Sequence, residues 1–190
     1  MLIRQVYGVA PYQISSGPGW LDDDRYDIDA KAQGDPSREQ MMATLQTLLA
    51  DRFKLEVHRE TREGPVFALT VAKNGAKLKQ PKDGEESFIR NGRTGPLDKD
   101  AATSILYGQK ASMPAFIEQL SRQLGRPVLD RTGITSDFDF RLEFAAGDAP
   151  TDAGPSIFAA IQEQLGLKLE AAKGPVEILV VDHAEKPSEN

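Results

Sequence analysis

Apolar and polar residues alternate in two short stretches, residues 53–57 and 167–170, which share a Lys-Leu-Glu word. Each stretch is followed by a Gly-Pro-Val word and an apolar run, at residues 64–71 and 174–181. The pattern predicts two β-strands joined by a short turn in each copy, with the turn four residues shorter in the second. Lys54 and Lys168 are 114 positions apart, and Gly64 and Gly174 are 110 apart. This repeat predicts two copies of one small α+β module.

In the first copy, two helices and two strands are predicted ahead of the repeated strand pair. Residues 2–9 have helical spacing, whereas residues 12–14 and 25–31 are typical of strands. The main helix starts either with Asp35 as the N-cap and Pro36 following it, or with a Ser37–Gln40 capping box. Because the helix over residues 2–9 has no N-cap, we expect the natural domain to begin upstream. The apolar stripe predicted for the main helix consists of Met41, Leu45, Leu48 and Leu49.

The second copy repeats this order after one additional strand, residues 103–107. Ser112 is predicted to cap a helix that stops at Gly125, and a helix opening at residues 154–156 ends at Gly166. Strands are predicted at residues 128–129 and 138–144. The fold class is therefore α+β, with two tandem β-α-β-β-α-β-β modules of which the first lacks its N-terminal strand. The predicted boundaries are a first module at 1–73, a linker at 74–101, a second module at 102–184 and a tail at 185–190.

Composition restricts the function classes. The chain has 190 residues, a formal net charge of −6 and no cysteine. The acidic balance argues against a nucleic-acid surface, which needs clustered Lys and Arg. No apolar run approaches the roughly 18 residues of a membrane-spanning helix, and the absence of cysteine excludes thiol catalysis and disulfides.

Three consecutive acids, Asp22, Asp23 and Asp24, are the candidate cation site. Adjacent side chains in an extended segment point to opposite sides, and no Gly follows to make the sharp turn of a calcium loop. A solvated turn is favoured over a weak divalent-cation site. The neighbouring Trp20 either plugs the end of the core or forms an exposed stacking platform. No metal or cofactor site is predicted.

The candidate catalytic pair is Asp182 with His183, since an adjacent carboxylate can orient a histidine base. No serine elbow accompanies it, and a surface strand end is the favoured interpretation. The sequence therefore shows no catalytic constellation and predicts no catalytic residue. A hydrolase whose site is assembled only in three dimensions around Asp182 and His183 stays as the alternative.

Several longer words resemble the bacterial, acidobacterial soil-associated protein family, which has no assigned activity. They are residues 2–9, 17–21, 48–55, 120–128, 130–133, 165–169 and 181–183. Members of that family carry an export signal, so the resemblance implies a periplasmic or secreted protein. More loosely, residues 130–133 and 165–167 resemble the short N-terminal domain of secretins and TonB-dependent receptors, which is an adaptor for protein contacts.

We therefore expect a non-catalytic protein- or peptide-binding adaptor that neither spans a membrane nor binds nucleic acid. In the first module, the strand missing from the β-α-β-β-α-β-β order would leave a sheet edge open. We expect this edge either to be filled by the linker or to pair two copies of the chain as a homodimer. The predicted cores are Leu45, Leu49, Leu55 and Leu69 in one module, and Phe140, Ile161, Leu165, Leu169 and Leu179 in the other, unless both share one sheet.

Overall fold

The computed structural model describes residues 2–28, 34–94, 103–145 and 154–187. These residues form five α-helices and seven strands in two sheets, so the α+β class is confirmed. The helices are α1 (Leu2–Tyr7), α2 (Trp20–Asp23), α3 (Arg38–Phe53), α4 (Met113–Leu124) and α5 (Ile157–Leu165). The strands are β1 (Ile14–Ser15), β2 (Glu56–Val71), β3 (Phe88–Thr94), β4 (Thr103–Ala111), β5 (Val128–Asp130), β6 (Phe138–Ala145) and β7 (Leu167–His183). One sheet has the order β1-β7-β2-β5 and the other β3-β4-β6.

The helix ends follow the local sequence. Of the two predicted starts for α3, the structure has the capping box, in which Ser37 Oγ accepts from the Gln40 amide and Gln40 Oε1 accepts from the Ser37 amide. α3 ends because Lys54 adopts a left-handed φ of 49°. The other two long helices begin at a serine and end at a left-handed glycine: Ser112 and Gly125 for α4, Ser156 and Gly166 for α5.

The Gly-Pro-Val words lie inside β2 and β7, which corrects the predicted strand-turn-strand order. Neither Gly64 nor Gly174 is among the glycines with positive φ. A Cβ atom on Gly64 would lie 3.1 Å from Val176 Cγ2, and one on Gly174 would lie 2.7 Å from Leu129 Cδ1. Each glycine therefore permits close packing in an extended strand and does not turn the chain.

The chain divides into two compact units, and both long strands pass from one unit into the other. The first unit contains Met1–Gly64 and Pro175–Asn190, and the second contains Pro65–Gly174. The predicted modules, 1–73 and 102–184, would instead keep each long strand whole. The two partitions differ because the repeat marks which segments are alike, whereas contacts decide which segments pack together.

The predicted linker contains a strand. β3 pairs with β4 in antiparallel register from Phe88↔Gln109 to Thr94↔Thr103, and Lys79 forms an isolated bridge to Asp139 of β6. This described part of the linker joins the sheet of the second unit and does not fill an edge of the first. Its apolar residues explain the placement, because Ile89 packs against the core of the second unit. Residues 95–101 of the linker lie outside the described residues.

Each unit has its own apolar core, and the long strands supply both. Leu69 of β2 packs in the core of the second unit, with Leu165 and Phe140, whereas Leu179 of β7 packs in that of the first. The prediction that Leu69 belongs to the first core and Leu179 to the second is therefore wrong. The predicted alternative of one shared sheet holds for β2 and β7, which are neighbours in the same sheet. The buried core of the first unit consists of Ile3, Val6, Val9, Leu49, Leu55, Leu179 and Val181.

Three local predictions in the first unit are also corrected. Residues 25–28 form no strand, and residues 29–31 of the predicted strand lie outside the described residues. Residues 11–13 form a 3-10 helix ahead of the short strand β1. In α3, Met41 is 45% exposed although the apolar stripe predicted it to be buried. The predicted strand at residues 103–107 is confirmed as part of β4.

Candidate binding groove

Three aromatic side chains meet in the first unit, at the end of α3 and around α2. The rings of Trp20 and Phe53 are stacked, with centroids 6.4 Å apart and an interplanar angle of 20°. Tyr26 contacts both edge-on, at 6.2 Å from Trp20 and 5.3 Å from Phe53. Edge-on and offset contacts of this kind suit the ring quadrupoles. Trp20 therefore joins an aromatic cluster at the surface, and its ring is only partly buried.

An apolar groove with a volume of about 250 Å³ opens beside this cluster. Helices α1 and α3 form one part of its lining, through Leu2 and Leu49, and the segment after α2 forms another. Tyr26 and Ile28 remain 39% and 41% exposed, although they line an apolar surface. The groove is therefore accessible to solvent. Its main apolar lining consists of Leu2, Trp20, Tyr26, Ile28, Phe53 and Leu55.

A charged pair lies at the rim of the groove. Lys186 Nζ is 2.7 Å from Asp24 Oδ2, and the Tyr26 hydroxyl donates to the same oxygen at 3.3 Å. The hydrogen bond from Lys186 lowers the pKa of Asp24, although desolvation opposes this effect. Desolvation, together with the Asp24 charge, raises the pKa of Tyr26, and the hydrogen bond with Asp24 raises the pKa of Lys186. The contacts hold Asp24 ionised at the rim.

A second, polar cavity of about 540 Å³ lies next to the groove and shares Leu21 and Arg25 with it. Its polar lining includes Arg4, Ser16 and Asp22. The chain turns sharply here because Ser16 and Gly17 have φ values of 68° and 107°. A Cβ atom on residue 17 would lie 2.8 Å from Leu21 Cδ1. Glycine at this position therefore lets the turn pack closely against Leu21, which lines both cavities.

The structure does not bring Asp182 and His183 together as a pair. Asp182 Oδ2 lies 2.7 Å from His58 Nδ1 on β2, whereas His183 Nε2 lies 2.9 Å from Glu185 Oε1. Successive side chains of an extended strand point to opposite faces, so adjacent positions on β7 face different partners. No local sequence signal points to the His58–Asp182 contact, because the two residues are 124 positions apart and meet only through the pairing of two strands.

The acidic triad is divided between a helix and the rim of the groove. Asp22 and Asp23 lie in α2, and Asp24 follows the helix and contacts Lys186. Within the described ranges, no group of three or more His, Asp or Glu side chains is placed to hold a metal ion.

The fold and the groove define an α+β protein of two compact units with an exposed aromatic surface. The chain belongs to the DUF3738 family, described as a protein family of unknown function, whose model matches residues 1–184. No curated protein and no solved structure shows significant similarity to the chain. In the described part of the chain, no helix is long and apolar enough to cross a membrane.

Proposed function

We propose that this chain is a non-catalytic peptide-binding protein and that the groove is its binding site. The observation that carries this proposal is the solvent-exposed aromatic lining formed by Trp20, Tyr26 and Phe53. Concave apolar surfaces with aromatic side chains and a few polar groups are typical of binding sites. The volume of about 250 Å³ suits one or two side chains of a peptide, since sites for drug-sized molecules range from roughly 300 to 1,000 Å³.

We further propose that the chain contains two copies of one module that exchange the ends of their long strands. In the first unit β1 pairs in parallel with β7, with Ile14 opposite Leu179. In the second unit β5 pairs in parallel with β2, with Val128 opposite Phe67. Ile14 and Val128 are 114 positions apart, which is the offset of the lysine repeat.

The glycines of the Gly-Pro-Val words support the same duplication. Gly64 faces Val176 in the first unit, and Gly174 faces Val66 in the second. An experimental structure in which residues 66–71 superpose on 176–181, together with their flanking helices, would agree with the proposal. Placement of these segments in non-equivalent elements would contradict it.

The duplication suggests what kind of peptide the groove receives. In the second unit Phe116 of α4 contacts Phe138 and Phe140 of β6, with ring centroids 5.7 and 4.7 Å apart. Gln164 of α5 also exchanges two hydrogen bonds with the backbone of Glu143 in β6, at 2.9 and 2.8 Å. α1 and α3 are the proposed counterparts of α4 and α5, and they line the open groove. An extended apolar peptide would therefore cover a helix face of the type that β6 covers in the second unit.

Titration of the chain with short apolar peptides, followed by tryptophan fluorescence, tests the proposal, because Trp20 is the only tryptophan. We expect saturable changes that Tyr26→Ser weakens. Phe158→Ser is the matched control, since Phe158 is equally exposed, at 41%, but lies in the second unit. Peptides that leave the fluorescence unchanged, or equal effects of the two substitutions, would contradict a binding site in the groove.

The alternative proposal is a hydrolase that uses the histidine–carboxylate chemistry at the end of β7. The contact between His58 and Asp182 favours it, because a carboxylate on Nδ1 orients a histidine base. His58 Nε2 lies 4.0 Å from Glu60 Oε2, and an ionised carboxylate has no proton for a histidine base to remove. Turnover of ester or peptide substrates that His58→Gln abolishes would support the hydrolase over the binding protein.

Four further proposals concern the origin, location, role and self-association of the chain. We propose an acidobacterial source and export to the periplasm or beyond, supported by the resemblance to soil-associated proteins, and an adaptor role like that of the secretin and TonB short N-terminal domain.

Homodimerisation through an open sheet edge is proposed because β1 pairs with only two residues of β7, Leu179 and Val180, so β1 leaves most of this edge of β7 uncovered. Sedimentation over a range of concentrations tests it, and a monomer at every concentration would contradict it.

A further inference from the structure

The groove and the polar cavity form one composite surface in the first unit. Leu21 and Arg25 line both of them, so the groove and the polar cavity adjoin at these two residues. The groove supplies aromatic and aliphatic contacts. The polar cavity supplies the guanidinium groups of Arg4 and Arg25. The composite surface therefore suits a ligand that carries an anion directly beside an apolar side chain.

Arg4 and Arg25 have no carboxylate partner among the described residues. Other arginines of the chain do, because Arg59 contacts Glu177 and Arg141 contacts Glu143. Asp22 is the acidic residue in the lining of the same cavity, and its carboxylate makes no hydrogen bond or ion pair within the described ranges, although its amide donates to the Gly19 carbonyl. Two unpaired guanidinium groups and one carboxylate leave a net positive lining, which attracts an anion.

Resting on the proposed function, we propose that the ligand is the C-terminal end of an apolar peptide. Its last side chain enters the groove, and its terminal carboxylate binds Arg4 and Arg25. Planar guanidinium groups form strong, directional hydrogen bonds with carboxylates. A terminal carboxylate is bonded to the same Cα as the last side chain. One residue can therefore place its side chain in the groove and its carboxylate in the adjoining polar cavity. An internal Asp or Glu would need a second residue to provide the apolar side chain.

The test compares three forms of one short peptide that ends in Val-Leu, using calorimetry and tryptophan fluorescence. The first form has a free C-terminal carboxylate, the second a C-terminal amide, and the third an amide with an internal Asp. We expect the amide to bind about tenfold more weakly than the free acid, which is the loss of one charge-assisted contact. We expect the internal Asp to restore little of this loss.

Substitutions in the protein localise the effect. Arg4→Gln and Arg25→Gln should each reduce the affinity for the free acid several-fold and leave that for the amide unchanged. Arg38→Gln is the matched control, because Arg38 lies in the same unit on α3 but lines neither cavity. It should bind both forms like the unaltered protein. Circular dichroism confirms that each variant is folded.

The possible outcomes separate this inference from the proposed function. If the acid and the amide bind equally well, carboxylate capture is wrong and peptide binding in the groove stands. If the internal Asp restores full affinity, the arginines take a side-chain carboxylate and the C-terminal assignment is wrong. If no form binds, both the inference and the proposed peptide-binding function are overturned.

Discussion

The carbonyl oxygen of Gly75 occupies the space that a Cβ atom on Gly166 would need, because the two would be only 2.1 Å apart. Gly166 ends α5 with a left-handed φ of 63°, and its own carbonyl accepts a hydrogen bond from the Ala72 amide. Glycine is thus needed at position 166 for two reasons. The end of α5 requires a left-handed φ, and the segment at Gly75 packs too closely to leave room for a side chain.

Gly166→Ala is therefore expected to destabilise the protein far more than the same change at another helix end. Gly125 is the matched control, since it ends α4 with a φ of 61° and has open space around the Cβ position. We expect Gly125→Ala to cost about 1–2 kcal/mol from the left-handed conformation alone. Gly166→Ala should cost at least about 1–3 kcal/mol more from the clash. Equal losses in urea titration would show that Gly75 moves away freely.

The division of each long strand between the two units leads to a second prediction. Leu69 and Leu179 lie in the cores of different units and are 0% and 1% exposed. Each change to alanine should cost about 2–5 kcal/mol in the free energy of unfolding, as should Leu165→Ala. Val71→Ala is the control on β2, because Val71 is 39% exposed, and it should cost less than about 0.5 kcal/mol. A loss below about 1 kcal/mol for any of the three leucines would contradict its burial.

The contact between Asp24 and Lys186 predicts a pH dependence. The pKa of Asp24 is lower in the folded chain than its ordinary value, so its contribution to stability is present above the ordinary value. That contribution is lost as the pH falls through the folded-state pKa. The pKa of Lys186 is raised, so its contribution is lost only as the pH rises through its folded-state value.

The pKa of Asp24 can be measured by NMR titration of its side-chain carboxyl group. Lys186→Met should move this pKa upward towards the ordinary range, because it removes the hydrogen bond that lowers it. A pKa for Asp24 that is the same with and without Lys186 would contradict the contact.

A double-mutant cycle tests the partner of Asp182. Combining His58→Gln with Asp182→Asn should reveal a coupling of roughly 0.2–1 kcal/mol, since both side chains are largely exposed. The same cycle with His183→Gln should show almost none, because His183 contacts Glu185. Stronger coupling between Asp182 and His183 would instead favour the pair expected from their adjacency in the sequence.

The sequence determined the features that depend on neighbouring residues. The ends of α4 and α5 could be predicted because serine caps and left-handed terminal glycines act within one helical turn. The start of α3 was left open between Asp35 and Ser37, and its end at Lys54 has no glycine to signal it. The strands around residues 103–107 and 138–144 were predictable for a similar reason, since alternating apolar residues suit a sheet with one buried face. Trp20 was recognised as either a core plug or a stacking platform, and the structure has it stacked on Phe53 beside an open groove.

Only the tertiary structure decided in which unit each part of the two long strands packs. The two Gly-Pro-Val words are alike, so a local pattern cannot show that Leu69 enters the second core and Leu179 the first. The same holds for His58 and Asp182, which meet because β2 and β7 are neighbours in one sheet. The groove also escaped prediction, because residues 25–28 alternate like a strand but lie beside α2 without strand pairing. Strand pairing and burial are non-local, and their free energy overrides the local preference of a short segment.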